Sequence, residues 1–353
     1  MRTFYAAEVD PVSWTDGYRW EVIDGNVNRT PSGIRQTAEL DCRNFPTGRE
    51  MWIRIYMDTD KTHDALFTGV CSSPKRDIDG HIVKDHLECL SVLQPSEDLK
   101  LPRGWYLPKG ANAGSAIKKL LKGVKLVIAD GIPNLTDYIV AEDNESHLSM
   151  VDAILEMIGW RMSIDGYGLV RVEPQAVTPS VIFSKDSRDV LQETFSISRD
   201  WFECPNVVKV TSGNGVAEAR DDDPDSELST VSRGREIMLT ENDVTLGSDE
   251  GLYQYAKRRL AEEQKTAEKA QYTRKFVSGL NVSDIVGLNY KSITGDYVIT
   301  KQKISLTFDG DTSEEVERFK TTKPIVFDHW FTLVLPDDCS LIMPDDRRLI
   351  IRR

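Results

Sequence analysis

Residues 34–57 read Ile34-Arg-Gln-Thr-Ala-Glu-Leu-Asp-Cys42-Arg-Asn-Phe-Pro-Thr-Gly-Arg-Glu-Met51-Trp-Ile-Arg-Ile-Tyr-Met57. Ile34, Ala38, Leu40 and Cys42 share one parity, while Arg35, Thr37, Glu39 and Asp41 share the other. That period of two predicts a half-buried strand. Met51, Ile53, Ile55 and Met57 then alternate with Trp52, Arg54 and Tyr56, which predicts a second strand whose polar side carries aromatics available to a partner. Working outward, Asp24-Gly25 and Asp79-Gly80 are expected to be tight turns. Val83, Leu87 and Cys89 again fall on one face. The first ninety residues are therefore strands and turns.

Residues 94–110 carry Pro95, Pro102, Gly104, Pro108 and Gly110, which should break regular structure and mark a domain boundary. Beyond it the period changes. Ser115 is the expected N-cap of a helix striped by Ile117, Leu120 and Leu121 and stopped by Gly123. A second helix, capped by Ser146, presents Leu148, Val151, Leu155 and Ile158. Trp160–Ile164 and Leu169–Val172 flank Asp165-Gly166-Tyr167-Gly168, the pattern of a β-hairpin.

From about Val190 the strand pattern returns through Val207, Val208 and Val210. The acidic run Asp221, Asp222, Asp223 and Asp225 is expected to be a solvated loop. A long helix is predicted from Ser248, its cap, to about Gln271, striped by Leu252, Tyr255, Ala256 and Leu260. Strands resume at Phe276, at Ile285–Leu288 and at Tyr297–Phe308, where Ile304, Leu306 and Phe308 alternate with polar residues. The fold class is thus α+β and β-rich, two antiparallel β-barrel-like domains bracketing a small α+β domain. The expected division is 1–100 for the first β-barrel-like domain, 101–188 for the α+β domain and 189–324 for the second β-barrel-like domain with its long helix. Residues 325–353 form a C-terminal extension; their apolar residues Trp330, Phe331, Leu333, Leu335, Leu341 and Ile342 make either a partner-binding segment, which we favour, or a last pair of core strands.

Composition narrows the function. With 57 acidic against 44 basic side chains the net charge is -13, which disfavours binding duplex DNA through phosphate neutralisation. Hydrophobic residues at 40% and charged residues at 29% fit a soluble globular chain. No apolar run approaches the roughly 20 residues of a bilayer-spanning helix, so no membrane insertion is expected. Residues 1–10 lack an apolar core, and no secretory signal is read there. The five cysteines, Cys42, Cys71, Cys89, Cys204 and Cys339, are scattered and odd in number, unlike a disulfide framework.

The search for chemistry assigns no catalytic, cofactor-binding or metal-ligating residue. His63, His81, His86, His147 and His329 fit no HExxH pattern, and His81 and His86 have opposite strand parity. Gly110-Ala-Asn-Ala-Gly114-Ser115 is one residue short of a phosphate loop and lacks its lysine, so a loop feeding a helix cap explains it better. Carboxylate pairs are abundant but unpatterned. Basic clusters at Lys118, Lys119, Lys122 and Lys125, at Lys257, Arg258 and Arg259, and at Arg352 and Arg353 are read as solvated faces rather than nucleic-acid contacts.

Several stretches carry a family likeness through their order along the chain. Ala65-Leu-Phe-Thr-Gly69-Val, Leu87-Glu-Cys-Leu-Ser91-Val-Leu and the Pro108-Lys-Gly110 loop resemble the first β domain of baseplate or tail hub proteins of tailed bacteriophages and related contractile injection particles. Leu155-Glu-Met-Ile-Gly159-Trp160 with its hairpin is similar to their middle segment. Cys204-Pro-Asn-Val-Val-Lys-Val210, Tyr255-Ala-Lys-Arg-Arg-Leu260 and Gly295-Asp-Tyr-Val-Ile299 resemble their second β domain. The resemblance implies a non-enzymatic homotrimer whose three chains, with two β domains each, make a pseudo-sixfold ring at a virion tail tip, assembled in the host cytoplasm. Implied partners are the tail tube or distal tail protein and a threefold tip or spike, with DNA passing an acidic lumen without specific binding. A tail-associated cell-wall hydrolase, and a carbohydrate-binding receptor module stacking sugars on Trp52, Tyr56 and Trp105, are the alternatives.

Overall fold

The computed structural model describes residues 2–319 except 44, 47, 72–74, 80–81, 185–189, 200, 213–214, 243, 245–250, 266–267, 291–292 and 309, and also residues 332–334, 340–342 and 350–351. It divides into two compact units, Met1–Ser198 with Lys269–Phe319, and Arg199–Glu268 with the described residues beyond 319.

The first unit starts with strands β1 (Thr3–Val9), β2 (Asp16–Arg29), β3 (Gln36–Cys42), β4 (Met51–Asp58), β5 (His63–Cys71), β6 (Lys75–Asp79) and β7 (Ile82–Ser91). Antiparallel pairing runs β1-β4-β5-β7-β3-β2 and returns from β2 to β1. Six strands thus close a barrel, which removes the free edges that would otherwise invite aggregation. Alternate residues of β3 and β4 fill it, Leu40 and Cys42 meeting Ile53, Ile55 and Met57 in a core with Leu87, and a register shift opposite Ile55 and Tyr56 brings the consecutive Leu66 and Phe67 of β5 into the same core.

Two expectations fail here for identifiable reasons. Arg54 and Tyr56, on the outward parity of β4, are covered by the chain itself, at 5% and 3% exposure, and Trp52 packs against Trp14. Tyr56 is thereby withdrawn from the face on which it was expected, while Trp52 stays half-buried. Asp24-Gly25 is no turn but lies inside β2, beside a register shift between Val22 and Asp24. Gly25 has φ +147°, and a Cβ there would sit 2.3 Å from the Glu39 carbonyl oxygen, so the glycine serves a bulge with close strand approach. Gly80 lies outside the described residues.

The middle segment holds α1 (Gln94–Asp98), β8 (Tyr106–Leu107), α2 (Ala113–Leu120), β9 (Leu126–Ile128), β10 (Ile139–Val140), α3 (His147–Ile158), β11 (Trp160–Ile164) and β12 (Val170–Pro174). The N-cap of α2 is Asn112, whose Oδ1 accepts from the Ser115 amide at 2.8 Å; Ser115, the expected cap, is already inside the helix. Asn outcompetes because the capping oxygen must reach back over the first turn from a residue with extended backbone. Ser146 caps α3 as expected, and Gly159 at φ 65° ends it. The hairpin β11–β12 forms as expected, its second strand starting at Val170 rather than Leu169, and adds β9 in parallel. Ile117, Leu120, Val151, Ile154 and Leu155 press the two helices into a shared core with Met162, Ile164, Val170 and Val172.

The second β block comprises β13 (Val181–Ser184), β14 (Val190–Arg199), then, after the excursion into the second unit, β18 (Glu268–Lys275), β19 (Ile285–Tyr290), β20 (Ile293–Ser305) and β21 (Asp311–Arg318). Its order is β13-β19-β20-β21-β18-β14, and β20 also pairs with β2, so this sheet is continuous with the barrel. The sheet curls. Phe195 near one edge stacks on Tyr290 beside the other edge at 5.2 Å, and Phe183 meets Tyr272 edge-on at 6.0 Å. These rings enclose a core with Val286, Leu288, Tyr297, Ile299 and Val316, which makes the block barrel-like. Ile304 and Leu306 are buried as expected, but Phe308 is 69% exposed because the chain leaves the strand at Ser305 and turns, with Gly310 N donating to Thr307 O.

The second unit contains β15 (Val207–Ser212), β16 (Gly215–Arg220), α4 (Thr230–Arg233), β17 (Met238–Glu241) and α5 (Leu252–Lys265). Ala256 and Leu260 of α5 pack on Val208, Val210 and Ala219 of the small sheet. The helix is shorter than expected: Ser248 lies outside the described residues, and β18 already begins at Glu268, where the apolar stripe gives way to strand alternation. Asp221 departs from the solvated-loop expectation. It is buried, accepting from Ser226 Oγ at 2.7 Å and Gln264 Nε2 at 2.9 Å, while Asp223 and Asp225 remain exposed. Beyond residue 319, β22 (Thr332–Val334), β23 (Ser340–Ile342) and β24 (Ile350–Ile351) pair antiparallel with one another. Trp330, Phe331 and Leu335 lie outside the described residues.

Candidate functional site

The chemistry-bearing side chains of the first unit gather where its three segments meet, and most are arginines on strands. Arg54 of β4 donates from Nε to Thr68 Oγ1 at 2.9 Å, and Thr68 Oγ1 donates to the Gly166 carbonyl at 2.7 Å. Arg54 also bonds Asp16 and lies 5.4 Å from the Tyr167 ring centroid. Asp16 accepts from the Tyr56 hydroxyl at 2.5 Å. Burial, then this hydrogen bond to a carboxylate, pushes the Tyr56 phenol up to about 12. The Asp165–Gly168 turn is thereby seated on the barrel. Asp165 Oδ1 shapes it by accepting from the amides of Tyr167 and Leu169, both at 3.0 Å. A Cβ at Gly166 would sit 1.8 Å from the Ala65 carbonyl oxygen, so only glycine allows the approach.

A second interlock follows β2. Arg35 donates to Met162 O at 3.1 Å and pairs with Asp152 of α3, whose other oxygen accepts from Gly33 N at 3.0 Å. Gln36 Nε2 donates to Ile164 O at 2.7 Å. A third binds the insert to the second block: Arg161 of β11 donates to Asp284 Oδ1, to Ser283 O and to Glu173 Oε1, each at 2.7 Å. These are side-chain bonds to fixed backbone or carboxylate acceptors in partly or fully buried positions, worth more than exposed pairs.

The centre of the junction is a buried network. Arg29 donates to Asn281 Oδ1 at 2.8 Å, to Gln302 Oε1 at 2.9 Å and to Leu66 O at 2.8 Å. Gln302 Nε2 passes to Glu314 Oε1 at 2.8 Å, and Glu314 takes a two-pronged pair from Arg274, both side chains fully buried. Arg274 thus holds Glu314 directly, and Arg29 reaches that carboxylate only through the Gln302 amide. Burial first, and then the Arg274 charge, push the Arg29 guanidinium down to about 10. Burial also raises the Tyr272 phenol beside Glu314.

The residues singled out in the sequence are not brought together. His63 pairs with Asp58 at 2.5 Å, His86 with Asp41 at 2.9 Å, and His147 contacts Leu120 O at 3.1 Å, three separate places. His81 and His329 lie outside the described residues. Among the described residues no group of three or more His, Cys, Asp or Glu is placed to hold a metal ion. Arg258 and Arg259 are engaged with Glu262, and Arg259 also with Glu241 and Glu263, as helix and sheet ion pairs. Lys125 lies over Trp14 at 4.6 Å. Arg352 and Arg353 lie outside the described residues. Sequence reading missed the arginine junction because Arg54 stands on a polar parity and Arg35, read as a polar strand position, lies instead in the loop before β3 at φ 58°. The signal was available at Arg29, Arg274 and Glu314, which share the apolar parity of Val27, of Tyr272 and of Val316.

The arrangement holds charges rigidly between segments; it is a joint. Solved structures that share the fold include three tail proteins. A 43 kDa tail protein of prophage MuSo2 from Shewanella oneidensis superposes with a TM-score of 0.69 at 12% identity, covering 90% of this chain and 98% of that one. A tail protein from Neisseria meningitidis gives 0.65 at 15% identity, covering 90% and 96%. A prophage tail protein from Listeria monocytogenes gives 0.57 at 11% identity, covering 91% and 95%. No family model and no curated protein matches the chain. The likeness to phage tail proteins read from the sequence therefore holds at the level of fold.

Proposed function

We propose that this chain is the structural hub of a phage-type tail tip and works by assembly. The observation that carries the reading is one closed barrel spliced through β2 and β20 to a second, barrel-like block, locked by the arginine junction, in a fold shared with three tail proteins over about nine-tenths of the chain. Two such blocks per chain become six in a homotrimer, the number that lets a threefold ring meet a sixfold tube on one side and a threefold tip or spike on the other. A joint of this kind must keep the two blocks at a fixed angle, which the buried polar contacts provide. In this reading residues 1–100 and 189–324 supply the two ring positions and 101–188 the wedge between them, while 325–353 bind the next tip component. The net charge of -13 suits a lumen that lets DNA pass without holding it.

The test is electron microscopy of the purified chain together with its mass in solution. A threefold ring at roughly three times the chain mass is expected by closed-symmetry assembly. A protein that stays monomeric both alone and with a tail-tube protein refutes the hub.

A further inference from the structure

The junction contains two unmet hydrogen-bonding atoms of opposite kind. Arg29 Nε, a donor, and Gln36 Oε1, an acceptor, are both buried without a partner among the described residues. Arg29 is 6% and Gln36 3% exposed. The rest of each side chain is fixed. The Arg29 terminal nitrogens are committed to Asn281, Gln302 and Leu66. The Gln36 amide cannot flip, because Nε2 must donate to Ile164 O at 2.7 Å, and a flip would set two oxygens against each other. Both residues line one small pocket with Thr30, Ser163 and Asn281, partly open to solvent and with about 10 Å³ of room for the centre of a water.

We propose that this cavity is a binding site for a single structural water, which accepts from Arg29 Nε and donates to Gln36 Oε1. Size and polarity agree: a void of about 10–15 Å³ holds one water, provided two or more polar partners line it. Leaving both atoms bare would cost about 1–3 kcal/mol each, and one water relieves both. A small anion is the natural competitor, since Arg29 has no carboxylate of its own and sits near Arg274. The Gln36 oxygen decides against it, because an anion there would face a fixed acceptor with no proton to offer. The water sits where β2 and β3 of the barrel, the β11–β12 hairpin and the loop before β19 converge, so it is a shared part of all three segments.

A crystal structure of the full chain at high resolution tests the site directly. A density peak within hydrogen-bond distance of both Arg29 Nε and Gln36 Oε1 is expected. An empty cavity, or a rearranged side chain satisfying either atom, overturns the proposal. A crystal soaked in bromide separates the competitor: an anomalous peak in the cavity makes it an anion site and refutes the water. In solution, magnetic relaxation dispersion should count one long-lived internal water fewer in Gln36→Met than in the wild-type chain. An unchanged count in a folded variant contradicts it.

Discussion

Replacing Arg274 by Met removes the guanidinium from a pair in which neither side chain is exposed. Glu314 is then left with Gln302 Nε2 at 2.8 Å as its remaining strong donor, in a site closed to solvent. Breaking a buried pair from one side costs about 3–5 kcal/mol, because the surviving charge keeps its desolvation penalty and loses its compensation. Glu314→Leu should cost a similar amount, and its survivor, Arg274, additionally faces Arg29. The double variant Arg274→Met/Glu314→Leu removes both charges and substitutes apolar volume, so it should lie within about 1–2 kcal/mol of wild type, the residue being the Gln302 amide that loses its acceptor. The coupling term is then about 4 kcal/mol or more, a factor of roughly several hundred or more in the unfolding equilibrium. Urea unfolding of the full chain followed by tryptophan fluorescence reads it, since Trp14, Trp20, Trp52, Trp105 and Trp160 all belong to the same compact unit. Single variants that cost less than about 1 kcal/mol, or a double variant equal to the sum of the singles, would refute the claim that this pair is buried and mutually dependent.

Gly166→Ala should destabilise by about 1–3 kcal/mol, because the added methyl meets the Ala65 carbonyl and forces the turn off the barrel; Gly48→Ala, with open space, should stay within about 0.5 kcal/mol in the same denaturation experiment. The folded-state Tyr56 phenol is raised to about 12 from 10, so its contribution is intact below pH 10 and is lost as pH rises toward 12. Tyr56→Phe should therefore show a shallower alkaline loss of stability than wild type, and parallel profiles would contradict the assignment. Burial pushes the Cys42 thiol up to about 12 and raises Cys89 as well, and Cys71 is buried with them. At pH 8 these three should resist a disulfide reagent in the native chain and react on unfolding, with mass spectrometry locating the labels; rapid native labelling of any of them would show the barrel core to be open.

Much of the architecture is legible in period alone. The alternation over 36–42 and 51–57, the amphipathic pair of helices with Ser146 at the start of the second, and the Asp165–Gly168 hairpin are local patterns. They follow from backbone geometry and from short-range hydrogen bonding, so the letters carry them. Phe308 and the true start of β18 were not legible, because strand ends are set by where the chain must turn to meet its neighbours rather than by the alternation itself.

The sequence by itself determined which face of each strand is apolar, and therefore the β-rich class, with an α+β insert between two strand-rich blocks. Only the tertiary structure decided what becomes of the other face. Arg54 and Tyr56 are buried because a turn more than a hundred residues away lands on them, and Arg35 because α3 supplies Asp152. It also decided that residues 199–268 form a unit of their own and that β2 and β20 join two sheets into one. The physical reason is common to these cases. A polar side chain on a strand has one local conformation whether water or protein lies above it. The free energy that chooses between them comes from partners distant in sequence, whose positions no local pattern encodes.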